Sequence, residues 1–116
     1  MTLQEDSVNL PSPSEWRIVI ADRGWVYVGR PRRDGDQLII SDCHNIRRWG
    51  TTRGLGELAM RGPQPDTVLD PYGTHRLHIL CAVGGEIDCD DEAWRAWLAS
   101  QAAPVVAAPP TKKRSR

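Results

Sequence analysis

Three short apolar segments rich in β-branched residues constrain the fold of this chain most strongly. They cover residues 16–21, 25–30 and 37–41, and turn residues separate them. Val, Ile, Trp and Tyr are enriched in strands, and Asp34-Gly35 between the second and third segments is a strong hairpin signal. The sequence therefore predicts a meander of three short antiparallel strands.

The next part of the chain predicts a further strand and a short helix. Residues 45–49 alternate in a way that suits a fourth strand. Leu55, Leu58 and Ala59 follow the i, i+3, i+4 spacing of one helix face. With Gly and Pro just beyond, this predicts a helix of about two turns over residues 54–61.

The C-terminal half predicts one more strand and a longer helix. Residues 62–74 are rich in Pro and Gly and indicate a connection without a regular element. Residues 75–83 form an apolar strand pattern, and the Glu86-Ile87 pair either completes a bent strand pair or leads into a helix. Acidic residues then precede a helix predicted over 90–102, and acids at a helix start favour its dipole.

These elements predict an α+β fold: a small curled antiparallel β-sheet or barrel-like meander with a short crossover helix and a C-terminal helix. We expect a flexible arm over residues 1–14, a single β-rich domain with its C-terminal helix over 15–102, and a Pro/Ala linker with a basic tail over 103–116. A core drawn from so few residues is modest, so we expect a homo-oligomer.

Composition excludes several classes of protein. The 116 residues carry 15 basic and 15 acidic side chains, which argues against binding nucleic acid by bulk charge. There is no apolar run long enough for a transmembrane helix and no signal-peptide pattern at the start. Three cysteines without such a signal suggest reduced thiols in the cytoplasm.

The segment from residue 25 to residue 89 resembles a family of short, largely uncharacterised accessory proteins of tailed phages and prophages. The residues that carry the resemblance are Val28-Gly29, Asp34-Gly35, Asn45 to Trp49, and the helix pattern of Leu55, Glu57, Leu58, Ala59 and Gly62, with a later apolar strand ending near Ile87 and Cys89. The resemblance implies a phage-type accessory protein and no particular reaction.

Arg47, Arg48, Trp49 and Arg53 are the candidate ligand-binding residues. They lie between a predicted strand and a predicted helix start, where free amides attract anions. Arginine adds bidentate phosphate contacts, and Trp49 is suited to stacking on a base. The alternative is that Trp49 belongs to the core and that the arginines are solvated or ion-paired.

Four other residues are candidates for contact with a protein partner. Trp94 and Trp97 fall on one face of the last predicted helix, where they suit either the core or an interface. Arg32 and Arg33 lie at the predicted hairpin tip, where clustered cations suit an acidic partner or simply solvent.

We expect no metal site, no cofactor and no catalytic residues. Cys43, His44, His75, His78 and Cys81 include no Cys-x-x-Cys pair and have poor spacing for zinc. The sequence carries no nucleophile elbow, phosphate loop or metalloprotease motif.

The leading hypothesis is a phage-type, non-enzymatic binding protein that sequesters an anionic, nucleotide-like ligand, with a counter-defence role in the host cytoplasm. The alternative is a structural or interaction protein, either a virion decoration component or an inhibitor bound to a host protein. Weak nonspecific nucleic-acid contact through the basic tail ranks third, and no membrane association is expected.

Overall fold

The computed structural model describes residues 12–107, with side chains described for residues 12–101. The elements in chain order are β1 (Arg17–Ile20), β2 (Val26–Asp34), β3 (Gln37–Arg48), α1 (Leu55–Arg61), β4 (Val68–His78), β5 (Gly85–Asp88) and α2 (Asp91–Ala107), with single 3₁₀ turns at Asp22–Gly24 and Ile79–Cys81. The five strands form one antiparallel sheet in the order β4-β3-β2-β1-β5. The predicted small α+β fold is confirmed, and the sheet is open, with β4 and β5 at its edges.

The side of the sheet that faces both helices carries the larger core cluster. Alternation along β1 and β2 puts Ile18 and Val28 on this side, where α1 adds Leu58 and α2 adds Trp94. Trp94 stacks on Trp16 with their ring centroids 6.0 Å apart. We call this the helix-side cluster; its buried members are Trp16, Ile18, Val26, Val28, Ile46, Leu58, Ala59, Cys89 and Trp94.

The opposite side of the sheet carries a second apolar cluster, which the sheet covers by curling. Val19 and Tyr27 point to this side and cluster there with Leu38 and Ile40. Leu38 and Ile40 pair with Arg33 and Pro31 in the second half of β2. Strand β1 pairs only with the first part of β2, residues 26–29. The contacts therefore require the long β2–β3 hairpin to bend back over β1. We call this the inner cluster; its buried members are Val19, Ala21, Tyr27, Leu38, Ile40 and Cys43.

Gly29 and Asp42 are the two positions where the backbone accommodates this curl. A Cβ atom at Gly29 would lie 2.5 Å from the Ile40 Cγ2 atom and 2.8 Å from the Ser41 carbonyl oxygen, so the strands approach too closely there for a side chain. Asp42 has a φ of 51°, and the β3–β4 register shifts between Ile40 and Cys43. Such a bulge bends a strand and increases its twist.

The segment 79–84 joins the two ends of the curled sheet. The Ile79 amide donates to the Asp36 carbonyl at the hairpin tip over 2.7 Å, and the Gly84 amide donates to the Ile20 carbonyl at the end of β1 over 2.9 Å. Ile79 also packs on the inner cluster. The crossover from β4 to β5 thus helps to hold the curl in place.

The structure corrects the predicted strands after the first hairpin. Residues 45–49 do not form a separate strand, because β3 continues from the hairpin through the bulge. The predicted irregular connection over 62–74 contains the first part of β4, and the strand predicted over 75–83 ends at His78. Pro71 suggested a loop, but an edge strand tolerates proline, since an amide on its outer side has no ladder bond to lose.

The end of the chain shows one confirmed and one corrected prediction. Helix α1 matches the predicted range 54–61, and β5 completes a strand pair, with β1 as its partner. Helix α2 continues to Ala107 rather than ending at 102, so residues 103–107 are helical and not part of an extended linker. Pro104 and the two valines that follow it have low helix propensity, which is why the sequence pattern predicts an earlier end to the helix. Residues 1–11 of the predicted arm and residues 108–116 of the predicted tail lie outside the described residues.

Candidate functional site

Four aromatic side chains form a continuous group on the same side of the sheet as the inner cluster. Tyr27 comes from β2, and Trp25 immediately precedes that strand, whereas Tyr72 and His75 come from β4. Trp25 and Tyr27 share a face because they lie two residues apart in extended backbone. We call these four residues the aromatic array.

Each ring of the aromatic array contacts at least one other ring. Trp25 and Tyr27 have centroids 6.4 Å apart with planes only 6° apart, and Tyr27 lies 5.7 Å from Tyr72 and 4.6 Å from His75. Tyr72 and His75 are 5.6 Å apart. Flat strands two places apart are separated by about 10 Å. The rings meet across β3 because the sheet curls.

The aromatic array has a buried centre and exposed sides. Tyr27 is 7% exposed, whereas Trp25 is 48% and Tyr72 is 43% exposed. Burial, with a smaller contribution from Tyr72, raises the pKa of the Tyr27 hydroxyl, and burial lowers the pKa of His75. Both shifts favour the neutral forms of Tyr27 and His75, and the array presents ring faces suited to stacking.

Arg47 lies beside the aromatic array and is held by Asp70. Its Nε and Nη2 atoms donate to the two Asp70 carboxylate oxygens over 2.9 Å and 3.2 Å. Asp70 is opposite Asn45 in the sheet, and Asn45 is opposite Tyr27. The Arg47 side chain is 67% exposed, so a cation stands next to the rings and remains open to solvent.

The other predicted ligand residues lie beyond the end of β3 and are not gathered into a pocket with Arg47. Arg48 is exposed and makes no ion pair within the part of the chain that the structure describes. Trp49 is 44% exposed, and its ring faces Gly54, just before α1. Of the four predicted ligand residues, Arg47 therefore lies at the margin of the aromatic array. The other three, Arg48, Trp49 and Arg53, lie between the end of β3 and the start of α1.

The start of α1, predicted as an anion site, is occupied by a carboxylate of the same helix. The Arg53 amide donates to Glu57 Oε1 over 2.9 Å, and Arg61 donates to Glu57 Oε2 over 2.8 Å. The glutamate in the first turn thus satisfies a free amide before the helix, as in one half of a capping box, while the N-cap residue Gly54 contributes no side-chain bond. Glu57 thus takes the position that an external anion would need.

The candidate partner residues differ in their accessibility. Trp94 is fully buried, and its indole nitrogen donates to a main-chain carbonyl of α1 over 3.0 Å; of the two roles that the sequence left open, core and interface, it has the core role within the described residues. Trp97 packs against the helix-side cluster and meets the edge of His44 at 4.9 Å. Arg32 and Arg33 are exposed near the hairpin tip, and their contact with a partner stays a prediction.

A second group of charges surrounds a shallow depression beside α2. Arg30 donates to Asp42 over 2.9 Å through Nε and pairs with Glu15, which also pairs with Arg95 over 3.1 Å. The hydrogen bond with Asp42 raises the pKa of Arg30. Since each charge here has a partner of opposite sign, the group links the segment before β1 to α2.

The cysteine and histidine residues do not form a reactive or metal-binding centre within residues 12–101. Burial raises the pKa of Cys43 to about 12 and that of Cys89 to about 12. Both thiols are therefore protonated and poorly nucleophilic at neutral pH. The described residues contain no group of three or more His, Cys, Asp or Glu side chains placed to hold a metal ion.

Comparison with known proteins adds no relative to this description. No family model, no curated protein and no solved structure matches the chain. The resemblance to phage accessory proteins therefore stays a prediction. Among the described helices, none has the length and apolar character needed to cross a membrane.

Sequence reasoning missed most of the aromatic array. The usable signal is the alternation within residues 25–30, which puts Trp25 and Tyr27 on one face of a strand, but this pattern by itself gives them no role. Tyr72 lies in the stretch interpreted as an irregular connection, and His75 was considered only as a zinc ligand. Their meeting with Tyr27 depends on the curl of the sheet, which no local pattern encodes.

Proposed function

We propose that this protein is a non-enzymatic binding protein that holds an anionic, nucleotide-like ligand on the aromatic array. The observation that carries the proposal is the contiguous set of rings in which Trp25 and Tyr72 are each nearly half exposed. Aromatic side chains on an open sheet are a recurrent platform for stacking bases. The ligand is thus bound by ring faces, with charge in a secondary role.

Arg47 is the residue that favours an anionic ligand over a neutral aromatic one. Its guanidinium is bidentate to Asp70 yet largely exposed, and a guanidinium has further N–H groups free to contact phosphate. The paired carboxylate offsets part of the attraction, so we expect affinity to depend mainly on stacking.

Binding without turnover fits the chemistry of the aromatic array. The side chains that meet there are neutral rings, and burial lowers the pKa of His75 while raising that of Tyr27. Neither shift favours a charged catalytic form at pH 7. A phage-type accessory protein that acts by sequestering a nucleotide signal would need only such a binding surface.

The first test is titration of the full chain with AMP, GMP, CMP and UMP by isothermal calorimetry. We expect at least one to bind, and Trp25→Ala to weaken that binding about tenfold, since stacking on one aromatic side chain contributes about that much. The matched control is Trp49→Ala, which removes a tryptophan of similar exposure outside the aromatic array and should change affinity less than twofold.

Two results would refute this proposal. One is the absence of heat and of any spectral change with all four nucleotides at millimolar concentration. The other is that Trp49→Ala loses binding whereas Trp25→Ala retains it, which would return the site to Arg48, Trp49 and Arg53. Mass spectrometry of the recovered nucleotide checks that it is released unchanged.

An interaction protein is the second candidate function, and one observation favours it. Leu80 and Val83 are 74% and 71% exposed in the segment that closes the curled sheet, and exposed apolar side chains are typical of contact surfaces. Native mass spectrometry discriminates the two functions. A copurified small molecule supports ligand binding, and a stable complex with a protein, or with further copies of this chain, supports the alternative.

A further inference from the structure

Resting on the proposed function, we infer that the ligand of the aromatic array contains two bases joined by a phosphodiester, so that the site binds a dinucleotide unit. Two exposed rings, Trp25 and Tyr72, that each contact the buried ring of Tyr27 carry this inference. A free dinucleotide and a single nucleic-acid strand share this chemistry.

The two exposed rings lie in different directions from the buried ring between them. Trp25 is the neighbour of Tyr27 along β2, with centroids 6.4 Å apart, and Tyr72 is its neighbour across the sheet, with centroids 5.7 Å apart. A base that covers one of these exposed faces leaves the other uncovered. One nucleotide would therefore use only half of the exposed aromatic surface.

The spacing suits bases that are splayed apart rather than stacked on each other. Adjacent bases in a duplex strand are about 3.4 Å apart, which is shorter than either ring separation above. Proteins that bind single strands commonly unstack the bases and place each on its own aromatic side chain. The array thus offers two stacking positions to one flexible phosphodiester link.

Two arginines lie in the segments that adjoin the aromatic array. Arg23 is exposed in the 3₁₀ turn directly before Trp25, and Arg47 is joined through Asp70 to the strand that carries Tyr72. These are the cations available to a phosphodiester that links two bases. Asp22 and Asp70 accompany these two arginines, so the four charges sum to zero. The site therefore offers little electrostatic attraction to a long polyanion.

This charge balance predicts that the binding constant for the ligand depends only weakly on salt concentration. Single strands lose affinity with a slope of about −0.7 per phosphate contact in a plot of log K against log salt. One or two contacts at the array give a slope of about −1. Binding by the four basic residues of the tail, Lys112, Lys113, Arg114 and Arg116, would give a slope near −3.

The test compares UMP, the linear dinucleotide UpU and a ten-nucleotide oligouridine on the full chain by calorimetry. UpU should bind about tenfold or more tightly than UMP. Trp25→Ala and Tyr72→Ala should each reduce UpU affinity to the level of UMP, whereas Trp49→Ala should leave it unchanged. The same series with the corresponding adenine ligands covers a preference for purines.

The outcomes separate this inference from the proposed function. Equal affinity for mononucleotide and dinucleotide would overturn the inference and leave the proposed function standing, whereas no binding of any ligand removes both. A salt slope near −3 that is lost in Lys112→Ala/Lys113→Ala also overturns it. If UpU binds and the ten-nucleotide oligouridine does not, the ligand is a free dinucleotide. If the oligouridine binds as tightly as UpU or more tightly, the ligand is a nucleic-acid strand.

Discussion

The two sides of the sheet bury aromatic residues in opposite ways. On the helix side, Trp16 and Trp94 are 1% and 0% exposed and stack within a closed core. On the other side, Trp25 stacks on Tyr27 just as directly but is 48% exposed. On each side a tryptophan stacks on another aromatic ring. The two sides differ in what covers that tryptophan.

The reason for the difference lies in what covers each side. Helices α1 and α2 seal the helix-side cluster, with the indole of Trp94 satisfied by a carbonyl of α1. The inner cluster is covered by the curl of the sheet and by the segment 79–84, which leaves the rings at one margin in contact with water. The comparison shows that the helix side is closed over its core, whereas the other side leaves part of its aromatic surface exposed.

The largest effect should come from truncating the tryptophan on the closed side. We expect Trp94→Ala to reduce the free energy of unfolding by about 3–5 kcal/mol, because it leaves a cavity and removes the hydrogen bond from the indole to the Ala59 carbonyl. Trp25→Ala removes the same atoms from an exposed site and should cost less than about 1 kcal/mol. Urea unfolding followed by circular dichroism measures both.

A protein this small has little stability to lose, so Trp94→Phe serves where Trp94→Ala does not fold. We expect a cost of about 1–3 kcal/mol for it, from lost volume and the lost hydrogen bond. Equal destabilisation by Trp94→Phe and Trp25→Ala would contradict the division of the sheet into a stabilising side and an exposed side.

An intermediate effect should come from filling the close approach at Gly29. A methyl group there would meet the Ile40 side chain and the Ser41 carbonyl, and we expect Gly29→Ala to cost about 1–3 kcal/mol. Gly56→Ala in α1 is the control, because nothing lies within 4 Å of a Cβ at that position, and the change should stabilise the helix by about 0.5–1 kcal/mol.

Gly29→Ala also tests whether the curl brings the aromatic array together. If the mutant flattens the sheet, Tyr27 and Tyr72 separate, and the near-ultraviolet circular dichroism of the rings changes along with stability. A folded Gly29→Ala protein with unaltered stability and aromatic signal would show that the bend at this residue is not required.

Local sequence patterns predicted the parts of the fold that depend on neighbours in the chain. The Asp34-Gly35 signal located the first hairpin, although the two turn residues are Gly35 and Asp36, and the spacing of Leu55, Leu58 and Ala59 located α1. Edge strand β4 was missed in part because Pro71 resembles a loop residue unless its outer position in the sheet is known.

The candidate site was harder to predict because it depends on distant residues meeting. Trp25, Trp49 and Trp94 look equivalent in the sequence, and only the packing of α2 and the curl at Gly29 distinguish them. The arginine cluster predicted as an anion site divides because Asp70 takes Arg47 and Glu57 takes the start of α1. Asp70 comes from β4, so its pairing with Arg47 of β3 depends on the fold, whereas Glu57 belongs to α1 itself and reaches the helix start only once the helix has formed.

The smallest effect concerns the titration of His75 within the aromatic array. Burial among Tyr27 and Tyr72 lowers its pKa below the usual value of 6.5, so the unfolded chain binds a proton at a higher pH than the folded chain does. Stability is therefore fully present above pH 6.5 and falls as the pH is lowered, until the folded pKa is reached. The exposed side of the sheet should weaken in mild acid for this reason.

His75→Phe isolates this contribution, because it keeps a ring in the array and removes the titrating group. The wild-type protein should lose more stability between pH 7.5 and pH 5 than His75→Phe does, as measured by urea unfolding at each pH. The two proteins share every other ionisable group, so the contributions of those groups cancel in the difference. Parallel pH profiles would show that His75 is as well solvated when folded as when unfolded, and hence that the exposed side admits water to its centre.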